Sequence, residues 1–280
     1  MKRPDWLKIR VESDYDRDYI FRVLEEYSIN TVCNEAACPN MAKCYGKKTA
    51  AFIIMGKNCT RNCTFCNVYN NTPENIDKDE PYRLASLVKE IGLKHIVITS
   101  VTRDDLIDGG AGHFKKVIEE IRKKDENITI EVLIPDFKGS MESLEIVLKA
   151  EPDILAHNIE TVSSLYEKIR PDSNYLQSLN ILKKSKEFNR NVKTKSGIML
   201  GLGETKKEII GVLKDISNMK CDFMTIGQYL APNKSNFPVR EYVHPDVFDE
   251  YKEIAYGLGF KYVISEPFAR SSYLADQYKG

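Results

Sequence analysis

The sequence predicts an α/β fold, a six-unit barrel, full or partial, on three observations. From about residue 50 onward, short apolar runs rich in β-branched residues are followed by longer amphipathic segments. The alternation recurs six times, which calls for a parallel sheet with crossover helices. Polar and glycine residues also collect just after several different strands, in "TRDDLIDGG" after 101, "HNIE" after 156, "GLGET" after 200 and "GQYLAP" after 226. Loops at the carboxyl ends of many strands build the ligand sites of α/β barrels, whereas an open doubly wound sheet gathers them at one switch point.

Residues 1–50 stand outside the repeat, as an N-terminal extension with one helix around 16–27 and then a cysteine-bearing loop. The barrel is expected over 51–266. Its strands are "AFIIM" (51–55), "HIVITSV" (95–101), "TIEVLIP" (129–135), "DILAHNI" (153–159), "TKSGIML" (194–200) and "DFMTIGQ" (222–228), with a late one at "FKYVISE" (260–266). Between them, Leu84, Leu87, Val88 and Ile91 share one face of a helix over 82–91. Phe114, Val117, Ile118 and Ile121 do the same over 113–124, and further helices fall near 141–150, 175–188, 205–218 and 246–258. The last piece, 267–280, reads as polar and without a core face.

Composition narrows the function. The chain has 280 residues, 42% of them apolar and 29% charged, as in a soluble globular protein with a real core. A formal net charge of zero argues against a nucleic-acid binder held by bulk charge. The longest apolar runs, near "AAFIIM" and "HIVITSV", are too short to cross a bilayer, so no membrane association is expected. The start "MKRPDWLKIR" is basic but leads into no apolar stretch, so a cytoplasmic location with reduced thiols is expected. Seven cysteines in such a compartment are poor grounds for a disulfide framework. Six of them fall between residues 33 and 66, and Cys221 reads as a buried small hydrophobe.

The stretch "KNCTRNCTFCNVY" (57–69) carries Cys59, Cys63 and Cys66 in C-x3-C-x2-C spacing. Three thiolates this close can cap three corners of a cubic iron–sulfur cluster, where four cysteines are usual. One iron then keeps an open position, the mark of a catalytic rather than a structural metal. Zinc would want two pairs of ligands or a histidine, and no histidine lies nearer in sequence than His95. Basic residues gather at Lys43, Lys47, Lys48, Lys57 and Arg61, either as a solvated face or as an offset to thiolate charge. A second triplet, Cys33, Cys38 and Cys44 in "CNEAACPNMAKC", has C-x4-C-x5-C spacing and reads as a second iron–sulfur cluster.

"CTRNCTFC" after a first strand resembles the cluster signature of the radical S-adenosylmethionine superfamily. The resemblance implies a TIM-like partial barrel of the radical SAM type. It also implies S-adenosylmethionine on the open iron of a [4Fe–4S] cluster, cleaved by one electron to a 5′-deoxyadenosyl radical. Phe65 matches the aromatic that packs near the adenine. "GIMLGLGET" (197–205), with Gly201 and Gly203, resembles the glycine motif of the fifth strand. "DGG" (108–110) falls where family members face the methionine end. Asn158 and Glu160, after the fourth strand, stand where cofactor contacts occur or where a helix cap would sit.

The upstream triplet extends the likeness to the lipoyl synthase family. "RPDWLK", "TVCNEAACPN", "VITSVTRDDLIDGGAGHF", "LIPDFKG", "HNIETV", "TKSGIMLGLGET", "TIGQYLAPN" and "RSSYLAD" resemble that family's landmarks in order. The resemblance implies that Ser271 or Ser272 completes a second, auxiliary [4Fe–4S] cluster, and adjacent residues of an extended segment point oppositely, so one of the two is expected. Leu274, Asn67 and Thr102 depart from the family's usual residues without removing a ligand.

The implied reaction inserts sulfur at C6 and C8 of an octanoyl chain amide-linked to a lysine of a lipoyl carrier protein or lipoyl domain. The auxiliary cluster donates the sulfur, and Arg270 would position the C-terminal motif or stabilise cluster charge, where without the motif it would read as an ordinary surface arginine. No side-chain base ionises an alkyl C–H bond, which is why such chemistry is given to a cofactor. A ferredoxin- or flavodoxin-type electron donor and an iron–sulfur carrier that rebuilds the spent cluster are the implied partners. The alternatives are a biotin-synthase-like sulfurtransferase and a non-catalytic two-cluster electron carrier.

Overall fold

β-Branched runs become strands where the periodicity places them. The computed structural model describes residues 2–8, 15–35, 40, 44, 49–273 and 275–277. The chain divides into two units: Arg10–Thr60, Val68–Leu155 and Ser272–Gly280 in one, here the N-terminal unit, and Met1–Ile9, Arg61–Asn67 and Ala156–Ser271 in the other, the C-terminal unit.

In the N-terminal unit the elements are α1 (Tyr15–Glu26), β1 (Asn30–Thr31), α2 (Val32–Glu35), β2 (Thr49–Ile54), β3 (Asn58–Cys59), β4 (Tyr69–Asn70), α3 (Glu80–Ile91), β5 (His95–Ser100), α4 (Ala111–Lys124), β6 (Thr129–Leu133), α5 (Met141–Leu148) and β7 (Ile154–Ala156). The strand order is β1-β2-β5-β6-β7. β2 runs parallel to β5 from Thr49↔His95 to Ile54↔Ser100, and β5 parallel to β6 from His95↔Thr129 to Thr99↔Leu133. β1 pairs with β2 antiparallel, through Asn30↔Ile53 and Thr31↔Phe52. All of β2 is buried, as a parallel strand covered on both faces must be. α3 buries Leu84, Leu87 and Val88 and stops at Gly92, whose φ of 68° suits the left-handed cap that glycine adopts without steric cost. α4 buries Phe114, Val117, Ile118 and Ile121, each worth roughly 1.5–3 kcal/mol of burial.

The C-terminal unit adds α6 (Tyr166–Ile169), α7 (Tyr175–Phe188), β8 (Lys193–Leu200), α8 (Lys206–Asn218), β9 (Phe223–Gln228), α9 (Pro245–Gly257) and β10 (Tyr262–Ser265). β8, β9 and β10 are parallel, from Lys195↔Phe223 to Leu200↔Gln228 and from Tyr262↔Phe223 to Ser265↔Ile226. Their core joins Leu182, Ile198, Leu213, Met224, Phe248 and Val263, and Cys221 sits in it as a small buried hydrophobe, as its isolation in the sequence suggests. α8 opens on a reciprocal cap: the Thr205 side chain accepts from the Glu208 N–H, and the Glu208 side chain accepts from the Thr205 N–H.

The parallel strand–helix alternation expected from residue 50 is observed. Two expectations need correction. The fourth strand ends at Ala156 instead of running to 159; beyond it His157 N–H still donates to the Lys195 carbonyl at 3.0 Å, and the chain meets β8 again only at an isolated bridge, Glu160↔Ile198. The C-terminal piece does carry apolar burial: Tyr273 and Ala275 are buried beyond Ala269, which composition alone concealed.

Candidate functional site

The connection from β2 to α3, residues 55–79, carries the first cysteine triplet. Met55 (φ 68°) and Gly56 (φ 94°) turn the chain out of the sheet. The φ of the second position favours glycine, and a Cβ there would lie 2.4 Å from Glu74 Oε2, so the exposed Glu74 carboxylate would have to move aside. Asn58 and Cys59 then pair in parallel with Tyr69 and Asn70, and the Asn70 amide donates to the Cys59 carbonyl at 3.2 Å. The turn after β5 holds the same segment. Thr102 N–H donates to Cys59 Sγ at 3.3 Å, and the Thr102 carbonyl accepts from Thr60 N at 3.0 Å and Thr60 Oγ1 at 2.9 Å. The Thr102 N–H fixes the position of the sulfur. "DGG" forms the start of α4: Asp108 accepts from Gly110 N at 2.9 Å and Gly112 N at 2.8 Å.

In the C-terminal unit, Cys63 and Cys66 lie on one turn, with Cys66 N–H donating to the Cys63 carbonyl at 3.0 Å. Asn236 Nδ2 donates to the carbonyls of Thr64 at 3.1 Å and Cys66 at 2.8 Å, and Thr64 N donates to the Ile169 carbonyl at 3.0 Å. Phe65 packs on Ile169, Leu202 and Tyr229. Cys59, Cys63 and Cys66 are all partly exposed, whereas Cys33 and Cys44 are buried and Cys38 lies outside the described residues. Among the described residues, no three His, Cys, Asp or Glu side chains gather closely enough to hold a metal ion.

The Asn158 amide joins two other expected residues. Its Nδ2 donates to Glu160 Oε1 at 2.9 Å and to Ser271 Oγ at 2.6 Å. Its buried Oδ1 has no hydrogen-bond partner among the described residues, a cost of about 1–3 kcal/mol that a ligand donor would remove. Arg170 Nη1 fixes this turn by donating to the Asn158 carbonyl at 2.9 Å. Enclosure of the carboxyl pushes the Glu160 pKa up, against the opposing pull of Arg170 and the Asn158 amide. Ser272 is partly exposed.

Gly201 and Gly203 follow β8 with φ of 95° and 111°. The Gly201 and Leu202 amides donate to Glu204 Oε1 at 2.6 Å and Oε2 at 2.9 Å, so this turn satisfies itself. Asn236 and Arg170 carry no motif signal of their own, and Thr102 stands in a motif only as a departure from it. They act through main-chain contacts that only the fold brings together.

Residues 53–216 match the radical SAM superfamily. A lipoyl synthase of Caldicellulosiruptor bescii is 55% identical over 279 residues, covering 100% of this chain and 96% of that one. A lipoyl synthase of Caldanaerobacter subterraneus subsp. tengcongensis is 51% identical over 276 residues, covering 99% and 96%. One of Aquifex aeolicus is 51% identical over 254 residues, covering 91% and 92%. Among solved structures, methylornithine synthase superposes with a TM-score of 0.56 at 14% identity, covering 96% of this chain and 85% of its own. HydG, a maturase of the [FeFe]-hydrogenase, superposes with a TM-score of 0.59 at 15% identity, covering 93% and 72%. The structural likenesses show a shared fold. The sequence identities, held over nearly the full length of both partners, go further: the chain belongs to the lipoyl synthase family of the radical SAM superfamily.

Proposed function

We propose that this chain is a sulfurtransferase that inserts two sulfur atoms, at C6 and C8, into an octanoyl group amide-linked to a lysine of a protein or peptide. The carrying observation is the pair of separate cysteine triplets, C-x4-C-x5-C and C-x3-C-x2-C, in a chain matched end to end by lipoyl synthases. Cys59, Cys63 and Cys66 would hold a [4Fe–4S] cluster with one open iron for S-adenosylmethionine. Cys33, Cys38 and Cys44, with Ser271 or Ser272, would hold the auxiliary cluster. The three partly exposed thiols suit the first group by donor softness, and the Thr102 N–H fixes Cys59 Sγ. When bound, the first cluster and S-adenosylmethionine supply a carbon radical that takes a hydrogen from the alkyl chain, and the auxiliary cluster supplies sulfur.

The chain's own residues position and shield. Asn236 and Thr64 fix the Cys63–Cys66 turn, and Phe65 brings an apolar surface beside those two thiols. Asn158 and Glu160 offer an unsatisfied oxygen and a carboxyl to polar groups of S-adenosylmethionine, with Gly201 and Gly203 on the adenine side. By function, the chain falls into 1–50 with the auxiliary cysteines, 51–266 as the radical SAM barrel and 267–280 with the "RSSY" motif. The substrate is an octanoylated lipoyl carrier, and a reductant is required. A ferredoxin or flavodoxin, an iron–sulfur carrier for rebuilding and a cytoplasmic setting complete the reading. No helix among the described residues is long and apolar enough to cross a membrane.

The test is the mass of an octanoylated peptide after anaerobic turnover with S-adenosylmethionine and a reductant. A gain of two sulfur atoms is expected. Formation of 5′-deoxyadenosine with no sulfur gained would overturn the assignment.

A further inference from the structure

We infer that Glu80, His113 and Arg103 form a latch that closes the neck of the cysteine loop and presets Cys59 as a ligand. The inference rests on the reading of Cys59 as a ligand of the first cluster. A connection as long as residues 55–79 needs its ends tied if anything on it is to be held in place, because an open loop keeps its conformational entropy. Here the tie joins the first residue of the connection to the residue that immediately follows it. Met55 N–H donates to Glu80 Oε2 at 3.0 Å. His113 Nε2 meets the same oxygen at 2.6 Å, so one carboxylate binds the end of β2 to the first turns of α3 and α4. A carboxylate at a helix start is also favoured by the helix dipole.

Arg103 completes the grip from the other side. Its Nη1 donates to the Met55 carbonyl at 3.3 Å, while Nε and Nη2 are held by Asp105 at 2.9 Å and 2.8 Å. The Met55 side chain is confined as well, since a Cβ on Gly110 would lie 2.4 Å from Met55 Sδ. Both backbone groups and the side chain of one residue are therefore engaged. That residue sits at φ 68°, a conformation that persists only where the surroundings over-determine it. Glu80, Arg103 and His113 are all buried, so this is not a dispersed surface network.

The latch reaches the cysteine by a short route. Three residues separate Met55 from Cys59, and the chain position next to Arg103, Thr102, gives its N–H to Cys59 Sγ. One turn after β5 thus holds both ends of the segment 55–59. Glu80, His113 and Arg103 are positioning residues. They act through Met55 and touch no reacting atom.

The test uses full-length protein, anaerobically reconstituted, with the electron paramagnetic resonance signal of the reduced cluster in the presence of S-adenosylmethionine as readout. That signal isolates the cluster with the open iron. Its decay is followed under a ferrous chelator. Glu80→Ala should speed the decay about tenfold and broaden the signal, in line with the loss of charge-assisted hydrogen bonds. Glu80→Gln, which still offers an oxygen to Met55 N–H, should stay within about threefold of wild type. Arg103→Met should resemble Glu80→Ala, and it carries the test if Glu80→Ala does not fold. Leu213→Ala, in the core of the C-terminal unit, should lower the melting temperature without changing the decay. Decay at the wild-type rate in both Glu80→Ala and Arg103→Met, with a normal wild-type signal, would overturn the latch. A wild-type protein whose signal does not respond to S-adenosylmethionine would instead overturn the cofactor reading on which the latch depends.

Discussion

Gly201→Ala is the most quantitative challenge to the turn after β8. At φ 95° any residue with a Cβ pays about 1–3 kcal/mol in backbone strain. The new Cβ would also stand 2.3 Å from the Glu241 carbonyl oxygen and 2.4 Å from Gln228 Nε2. Relief requires that carbonyl to retreat by about an ångström to reach ordinary van der Waals contact. The retreat breaks the Gln228 Nε2 to Glu241 bond of 2.9 Å and strains the Arg240 N–H to Gly201 carbonyl bond of 2.8 Å. Gln228 itself is buried and also holds Leu200 and Tyr229 carbonyls and the Val243 N–H, so it cannot swing away cheaply. With about 1–2 kcal/mol for the damaged bonds, the total is roughly 2–5 kcal/mol. At about 2–4 °C per kcal/mol, the melting temperature of the apo-protein should fall by roughly 10 °C in a calorimetric scan. A fall of less than about 3 °C would show that the turn yields and that close packing is not why glycine stands there. Because the Gly201 and Leu202 amides are already spent on Glu204, S-adenosylmethionine affinity measured well below the melting range should change far less than stability does.

Other outcomes follow from the same description. Cys63→Ala should abolish 5′-deoxyadenosine formation, whereas Cys38→Ala should keep some cleavage and lose sulfur insertion. Normal lipoyl product from Cys38→Ala, read by peptide mass, would rule out the auxiliary cluster as sulfur donor. Glu160 has its folded pKa raised above the ordinary 4.5, so its favourable protonated state is fully present below 4.5 and is lost as the pH climbs through the raised value. Denaturant midpoints should therefore show wild type losing stability relative to Glu160→Gln as pH rises above about 4.5, and a gain over that range would contradict the burial of this carboxyl. Thr205→Ala removes one half of the α8 cap and should cost about 1 kcal/mol by urea denaturation, with a change under about 0.3 kcal/mol counting against the cap.

Most of the fold can be read from periodicity because each parallel strand is buried on both faces and each helix on one. "HIVITSV" becomes β5 and "TKSGIML" becomes β8 almost to the residue. Helix starts are less legible. α3 begins at Glu80, two residues before the expected start at 82, since Pro81 suits a first turn that has no use for its missing N–H. β1 has only two residues and shows no period at all; its place is dictated by Ile53 and Phe52 opposite. At the candidate site, thiol spacing is visible in the sequence because one short segment carries all three residues. The supporting contacts are not. Thr102 reaches Cys59 through a main-chain N–H, which any residue but proline has, and Glu80 meets His113 across 33 positions of chain. Such pairings exist only after the sheet has formed.

Cys221 is buried in the core of the C-terminal unit in a way that experiment can exploit. Its surroundings push the thiol pKa up to about 12, and it lies within the densely packed interior bounded by β8, β9 and α8. Alkylating reagents attack thiolate, so at neutral pH this sulfur is silent while the interior stays closed. Labelling at position 221 is then a clock for the opening of that interior, running independently of whatever occupies the thiols on the loop after β2.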